Sequence, residues 1–198
     1  MSNVIPFPRV AKKSTEWLQL HLELLGIEPR IWRRVVVPES IRVGQLHQVI
    51  QVVFGWMDSH LHEFDFDGER FGVPDPDFDD IPIRSERRVQ LKSALGPLRS
   101  FTYIYDFGDD WTHKIKVERR ISGDVMEEGK VICIGGENAT PPEDVGGAPG
   151  YAEFLRVMAD ASDPEHEAMK SWVGFPFDPR LFDIEQANKF LRKVRVSV

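Results

Sequence analysis

The chain has 198 residues, of which 41% are hydrophobic and 29% charged, enough apolar material to bury a full core without covalent staples. A formal net charge of −7 weighs against broad phosphate-backbone binding, which needs clustered Lys and Arg; Arg30, Arg33 and Arg34, and Arg84, Arg87 and Arg88, form only local basic groups. A single cysteine, Cys133, excludes an internal disulfide framework and a multi-thiolate metal site, and no apolar run reaches the length of a membrane span.

Residues 1–14 read as a loose tail, since Pro6 and Pro8 interrupt its short apolar run and leave no secretory signal; residues 15–198 read as a single domain in the cytoplasm. Trp17 to Leu24 alternates, with Leu18, Leu20, Leu22 and Leu24 on one face and Trp17, Gln19, His21 and Glu23 on the other, which predicts a half-buried strand. Ile31 to Val37 is β-branched and aromatic and predicts its hairpin partner. From Val43 to Phe54 the period changes, with Val43, Leu46, Val49, Ile50, Val53 and Phe54 at helical spacing and Gly55 as a stop.

Leu61 to Phe66 alternates again, and Asp67-Gly68 predicts a two-residue turn into a short strand at Arg70 to Gly72. Residues 73–86 read as an acidic, proline-rich loop, Val89 to Leu91 as a short strand, and Gly96-Pro97 as a break. The central feature is Phe101 to Glu118, two alternating strands around the turn Asp106-Phe107-Gly108-Asp109-Asp110. Gly108 is expected there at positive φ, with Asp106 or Asp109 accepting backbone N–H groups. Residues 121–130 predict a loop, Val131 to Ile134 an edge strand, and 135–150 a long loop held by Pro141, Pro142 and Pro149. Three short helices close the chain, with Trp172 and Phe190 expected inward. Together these elements predict an α+β fold: a mainly antiparallel curved sheet packed by the 43–54 helix, with a three-helix C-terminal segment.

Three groups of residues bear chemistry. His60 and His62 share one strand face, and Asp109, Asp110 and His113 add carboxylates and a third imidazole, the donor types of a divalent metal site. The bland alternative is that these imidazoles only pair with carboxylates at sheet ends. Asp106, Asp109 and Asp110 could supply a general base, but turn chemistry alone accounts for them. Glu143 and Asp144, between Pro141-Pro142 and Gly146-Gly147, form an acidic pair on a stiffened loop; Glu143 or Asp144 is expected to turn inward to a Lys, Arg, His or Trp N–H near the central hairpin, and Trp111 is a candidate aromatic contact in the same cleft. Aromatics at strand spacing are otherwise core, and Cys133 reads as a small buried hydrophobe.

At PRIWRRVVVP, LHQVIQVVFGWMDSHLHEFDF, YDFGDDWTHKIKVE, PPEDVGGAPGY and FDPRLFDIEQAN the sequence resembles the plasmid pRiA ORF-three-like family over about residues 16–193. That family is also labelled as a TnpR-type insertion-element passenger. The resemblance implies an α+β fold and a plasmid or mobile-element setting, with no defined reaction. Family members often carry Cys where Thr140 stands and sometimes where Val145 stands; this chain has neither. A serine recombinase would need a nucleophilic Ser in an arginine-rich domain and a basic recognition helix, and the sequence offers neither. The expected function is a non-enzymatic binding or adaptor module for a protein or small-molecule ligand, without membrane contact. The alternatives are a metal-dependent hydrolase at His60, His62 and His113, and a DNA-associated accessory protein.

Overall fold

The computed structural model describes residues 15–74, 83–123 and 130–196. The tail expected at 1–14, residues 75–82 of the acidic loop and 124–129 of the next loop lie outside the described residues. The elements are β1 (Glu16–Leu24), β2 (Ile31–Pro38), α1 (Val43–Phe54), β3 (His62–Phe66), β4 (Glu69–Gly72), β5 (Arg84–Ser85), a 3-10 turn (Glu86–Arg88), α2 (Leu91–Leu95), β6 (Ser100–Tyr105), β7 (Trp111–Ser122), β8 (Ile132–Glu137), α3 (Gly147–Ala159), α4 (His166–Val173) and α5 (Ile184–Leu191).

The strands form one open sheet in the order β5-β4-β3-β6-β7-β1-β2-β8, antiparallel at every pairing except β4 with β5. With the helices this is an α+β fold, as the hydrophobic periodicities require. Register assigns the core face directly: Phe64, Tyr103, His113, Leu24 and Ile31 stand opposite one another in a single row across five strands. A neighbouring row runs Phe101, Ile115, Leu22 and Arg33. Because side chains alternate, the opposite face carries His21, Glu23, Arg34, Lys114, Lys116 and Glu118, where Glu118 takes both Arg34 Nε (2.7 Å) and Nη2 (2.8 Å).

The apolar stripe of α1 covers the core face, burying Val43, Leu46, Val49, Ile50, Val53 and Phe54. Two polar residues lie on the same buried side, His47 and Gln51, and both bond to Tyr103 Oη, at 2.8 and 3.1 Å. Gly55 ends the helix at φ 79° with its N–H on Gln51 O, the left-handed cap expected of it. The Asp67-Gly68 turn has positive φ at both residues (58° and 91°), as a tight hairpin between right-twisted strands demands.

Several local expectations fail for definable reasons. Val89 to Leu91 is no strand: Gln90 makes one bridge to Arg42, and Leu91 starts α2. β7 runs on to Ser122 because β1 pairs with it that far, and Trp17, placed by alternation on the polar side, is thereby fully buried with its Nε1 on Gly123 O at 3.0 Å. In the central turn the left-handed residues are Asp106 (φ 57°) and Asp110 (φ 53°), not Gly108. The Asp106 carboxylate makes this tolerable by accepting the Gly108 and Asp109 N–H groups at 2.9 and 3.3 Å. Trp172 and Phe190 are exposed, leaving Val173, Ala187 and Leu191 as the buried residues of α4 and α5.

At the β8 end of the sheet, the side chain of Asn188 on α5 stands where another strand would. Its Oδ1 accepts Cys133 N–H at 2.9 Å and its Nδ2 donates to Cys133 O at 2.8 Å.

Candidate functional site

Beyond the C-terminal end of α1, three irregular segments meet: residues 55–61, the β6–β7 turn, and the 138–146 connection between β8 and α3. Each is tied to the next through side chains. Trp56 Nε1 donates to Pro141 O (3.1 Å), and Glu143 Oε1 accepts Met57 N–H (2.8 Å) and the Tyr105 hydroxyl (3.1 Å). Asp109 Oδ2 accepts Gly146 N–H at 3.2 Å. Much of the 135–150 stretch is regular, since β8 extends to Glu137 and α3 begins at Gly147; the connection itself is short and internally braced.

The glycines of this stretch do specific work. At Gly150, on the first turn of α3, a Cβ would overlap the Val145 carbonyl, and at Gly147 (φ 67°) it would come within 2.7 Å of Asp109 O. Gly150→Ala is therefore expected to push Val145 and the adjacent Asp144 outward and to cost about 1–3 kcal/mol. An unaltered urea midpoint would show that the segment shifts freely and is not braced.

The first polar cluster is centred on His60. Its Nε2 is buried without a hydrogen-bond partner among the described residues, yet faces Asp144 Oδ1 at 3.2 Å, Asp106 Oδ2 at 3.5 Å and Glu143 Oε2 at 3.5 Å. Donor atoms of His60, Asp106 and Asp144 all lie within 4.8 Å of one another. Burial, with Glu143 adding to it, drives the Tyr105 hydroxyl upward in pKa, so Tyr105 donates to Glu143 while accepting Ser59 N–H at 3.0 Å.

The second cluster is built on His62, the first residue of β3, and His47 on α1. The two imidazoles stack in parallel, centroids 3.5 Å apart and planes 4° off. His62 Nε2 meets Glu86 Oε2 at 2.9 Å, and His47 Nε2 meets Asp58 Oδ1 at 2.7 Å. Burial, reinforced by His62, lowers the His47 pKa. His47, Asp58 and His62 also have donor atoms within 4.8 Å of each other. Parallel rings nonetheless direct their in-plane lone pairs along separate planes, so an ion bonded to both would require one ring to rotate. Around this pair opens a cleft of about 430 Å³, also bordered by Gly44, Gln48, Ser59, His60 and Val73, and none of the described residues that line it is Lys or Arg.

The residues proposed from the sequence therefore separate. His60, Glu143 and Asp144 come together; His62 joins His47, on the buried side of α1, in the adjoining cleft; His113 belongs to neither group. It is fully buried in the core, edge-on to Phe54 and Trp56, with Nδ1 on Trp111 O at 2.8 Å. Trp111 is likewise buried beside Trp56 and presents no face to the cleft. Asp109 is engaged with Gly146, and Asp110 accepts the Thr112 hydroxyl at 2.8 Å.

Residues 16–186, from β1 into α5, match the family described as Plasmid pRiA4b ORF-3-like protein. The chain belongs to this family. As a plasmid pRiA4b ORF-3-like protein it is 42% identical over 175 residues to uncharacterized protein y4hQ of Sinorhizobium fredii, covering 87% of this chain and 89% of that one. It also superimposes on the crystal structure of a protein of unknown function, MM3350 from Methanosarcina mazei Go1, with a TM-score of 0.77 and 36% identity over 86% of this chain and 97% of that one.

Four site residues of this pRiA4b ORF-3-like chain escape a reading by spacing alone. His47 sits one turn after Val43 within a stripe read as apolar; a polar residue on a buried stripe was the available signal. Asp106 reads as turn chemistry because one of its oxygens serves the turn, while the other faces His60. Asp58 and Glu86 lie in irregular segments with no periodic signal at all. Next to the His60 cluster, and lined in part by Glu143 and Asp144, a mainly apolar depression of about 590 Å³ lies between the end of α1 and helices α4 and α5, edged by Met57, Trp172, Phe175, Leu181 and Phe190. No described helix is long and apolar enough to cross a membrane.

Proposed function

We propose that this protein is a non-enzymatic binding module, working in the cytoplasm in a plasmid or mobile-element setting, whose cleft beside the stacked His47 and His62 receives a basic side chain of a protein partner. The observation that carries this reading is the charge of the cleft: among the described residues Asp58 and Glu86 line it with three imidazoles and no Lys or Arg. A partner ammonium or guanidinium group would replace imidazole as the companion of either carboxylate, and the stacked rings would offer it a flat aromatic wall. The same carboxylates would repel phosphate, so a DNA-associated role draws no support from this face.

Titration with N-acetyl-lysine amide and N-acetyl-arginine amide, followed by amide and imidazole NMR shifts, tests the reading. Shifts should concentrate at residues 58–62 and at Glu86 and should disappear in the Asp58→Asn, Glu86→Gln double variant. Absence of shifts at millimolar ligand, or shifts confined to the apolar depression by α4 and α5, would defeat it. A second reading, a metal-dependent hydrolase, is favoured by the His47–Asp58 and His62–Glu86 pairs lying beside the His60 cluster, since a general base near an ion is what such chemistry requires. Manganese-dependent turnover of a chromogenic phosphoester, lost in His60→Ala, would favour this second reading over the first.

A further inference from the structure

We propose that His60, Asp106 and Asp144, with Glu143 beside them, bind one divalent first-row cation of the Mn²⁺ or Zn²⁺ class. This goes beyond the cleft reading, with which it shares only His60. Bonds of about 2.0–2.2 Å at tetrahedral or octahedral angles place neighbouring donor atoms about 2.8–3.6 Å apart. His60 Nε2 stands 3.2 Å from Asp144 Oδ1 and 3.5 Å from both Asp106 Oδ2 and Glu143 Oε2.

The competing account makes His60 an imidazolium that neutralises three carboxylates. A protonated ring so placed would form a directed bond of about 2.7–2.9 Å to one of them. Instead Nε2 is a buried atom with no hydrogen-bond partner among the described residues, held at near-equal distance from three anionic oxygens. Donor atoms of His60, Asp106 and Asp144 also lie within 4.8 Å of one another, close enough for a single ion to meet all three.

The outer contacts favour the same assignment. Asp106 is one-tenth exposed, and its other oxygen, Oδ1, is fixed by the Gly108 and Asp109 N–H groups. Glu143 has Oε1 fixed by Met57 N–H and Tyr105 Oη, with Tyr105 Oη also 3.3 Å from Oε2. Asp106 is thus oriented by one oxygen and offers the other, while Glu143 is held mainly through Oε1 with Oε2 turned toward His60, which is how ligands are commonly held for a metal. Asp144 is mostly exposed and on the open side. One imidazole with two or three carboxylate oxygens suits borderline to hard divalent ions more than copper or a thiolate-seeking metal.

The test uses the full-length chain stripped with chelator. Calorimetric titration with Zn²⁺ should give one ion per chain, and Asp144→Asn should weaken it roughly tenfold or more while leaving the melting temperature of the stripped protein unchanged. Asp58→Asn, which removes one carboxylate of the other cluster, should bind Zn²⁺ like the unaltered protein even where it weakens amine binding, so the two proposals fail separately. Substoichiometric Mn²⁺ should broaden NMR signals of residues 58–62, 105–109 and 143–146. Lack of binding at millimolar metal, loss of binding in Asp58→Asn and not in Asp144→Asn, or broadening centred elsewhere would overturn the assignment.

Discussion

Arg33→Met is expected to destabilise the fold by about 3–5 kcal/mol, the largest effect of any single side chain outside the hydrophobic stripe. Arg33 lies on the core face of β2 and is almost completely buried, with no carboxylate partner among the described residues. Its guanidinium is satisfied by oxygen atoms of the chain itself: Val53 O at 2.8 Å, Trp32 O and Glu137 O at 2.8 Å each, Asn138 O at 2.9 Å and Thr140 Oγ1 at 3.1 Å. Phe182 packs on its plane at 3.8 Å. Burial lowers its pKa to about 10, the mark of a charge removed from water without a counter-ion. One residue therefore closes the C-terminal end of α1, where the helix dipole favours a cation, and the exit of β8. Methionine would fill the volume and leave the acceptors stranded; lysine would satisfy fewer of them and should fall between. Urea unfolding monitored by tryptophan fluorescence reads this directly, and a Met variant as stable as the parent would mean that water takes over the guanidinium's bonds.

Acid should weaken the fold well before most carboxylates titrate, and His113 is the main reason. Complete burial holds its pKa down to about 3, with Arg33 contributing the same way. The folded state thus refuses a proton that the unfolded chain accepts near 6.5. Stability from this site is complete above pH 6.5 and drains away as the pH falls from 6.5 toward 3, by at most about 1.4 kcal/mol per pH unit. The lowered pKa of His47 acts in the same direction. Replacing His113 with Phe, among Phe54, Trp56 and Tyr103, should flatten unfolding free energy between pH 6.5 and 5. A Phe variant with the parent's slope across that interval would transfer the effect to other groups.

The order of strands and helices was legible in the sequence because periodicity reports burial, and burial organises this sheet: Leu20, Leu22 and Leu24 alternate because one face of β1 is covered. What periodicity does not report is where faces from distant segments meet. His60 and His62 are two residues apart and look like one site, yet His60 precedes the first paired residue of β3 and turns to the 138–146 connection, while His62 is already in register and points at α1. His113 falls on the buried face by the same alternation that marked Ile115, so its chemistry was subordinate to its position. Glu143 turns inward as its proline-stiffened setting suggests, but its partners are the Met57 main-chain N–H and the Tyr105 hydroxyl, groups that no spacing in the sequence marks. Asp106 accepts the turn's N–H groups as expected and also takes the positive φ expected of Gly108, since an aspartate that bonds to the next amides can hold a left-handed conformation that otherwise falls to glycine.

The amide of Asn188 bears on how molecules of this protein treat one another in concentrated solution. A sheet that is open at β8, with Ile132 and Ile134 exposed along it, offers a template on which a neighbouring molecule could lay down its own β8. Asn188 occupies both main-chain groups of Cys133, near the start of that template, and arrives there only while α5 is docked. The last helix is thus a guard as much as a layer of packing: detaching it would uncover a ready seed for intermolecular sheet growth long before the core itself was lost.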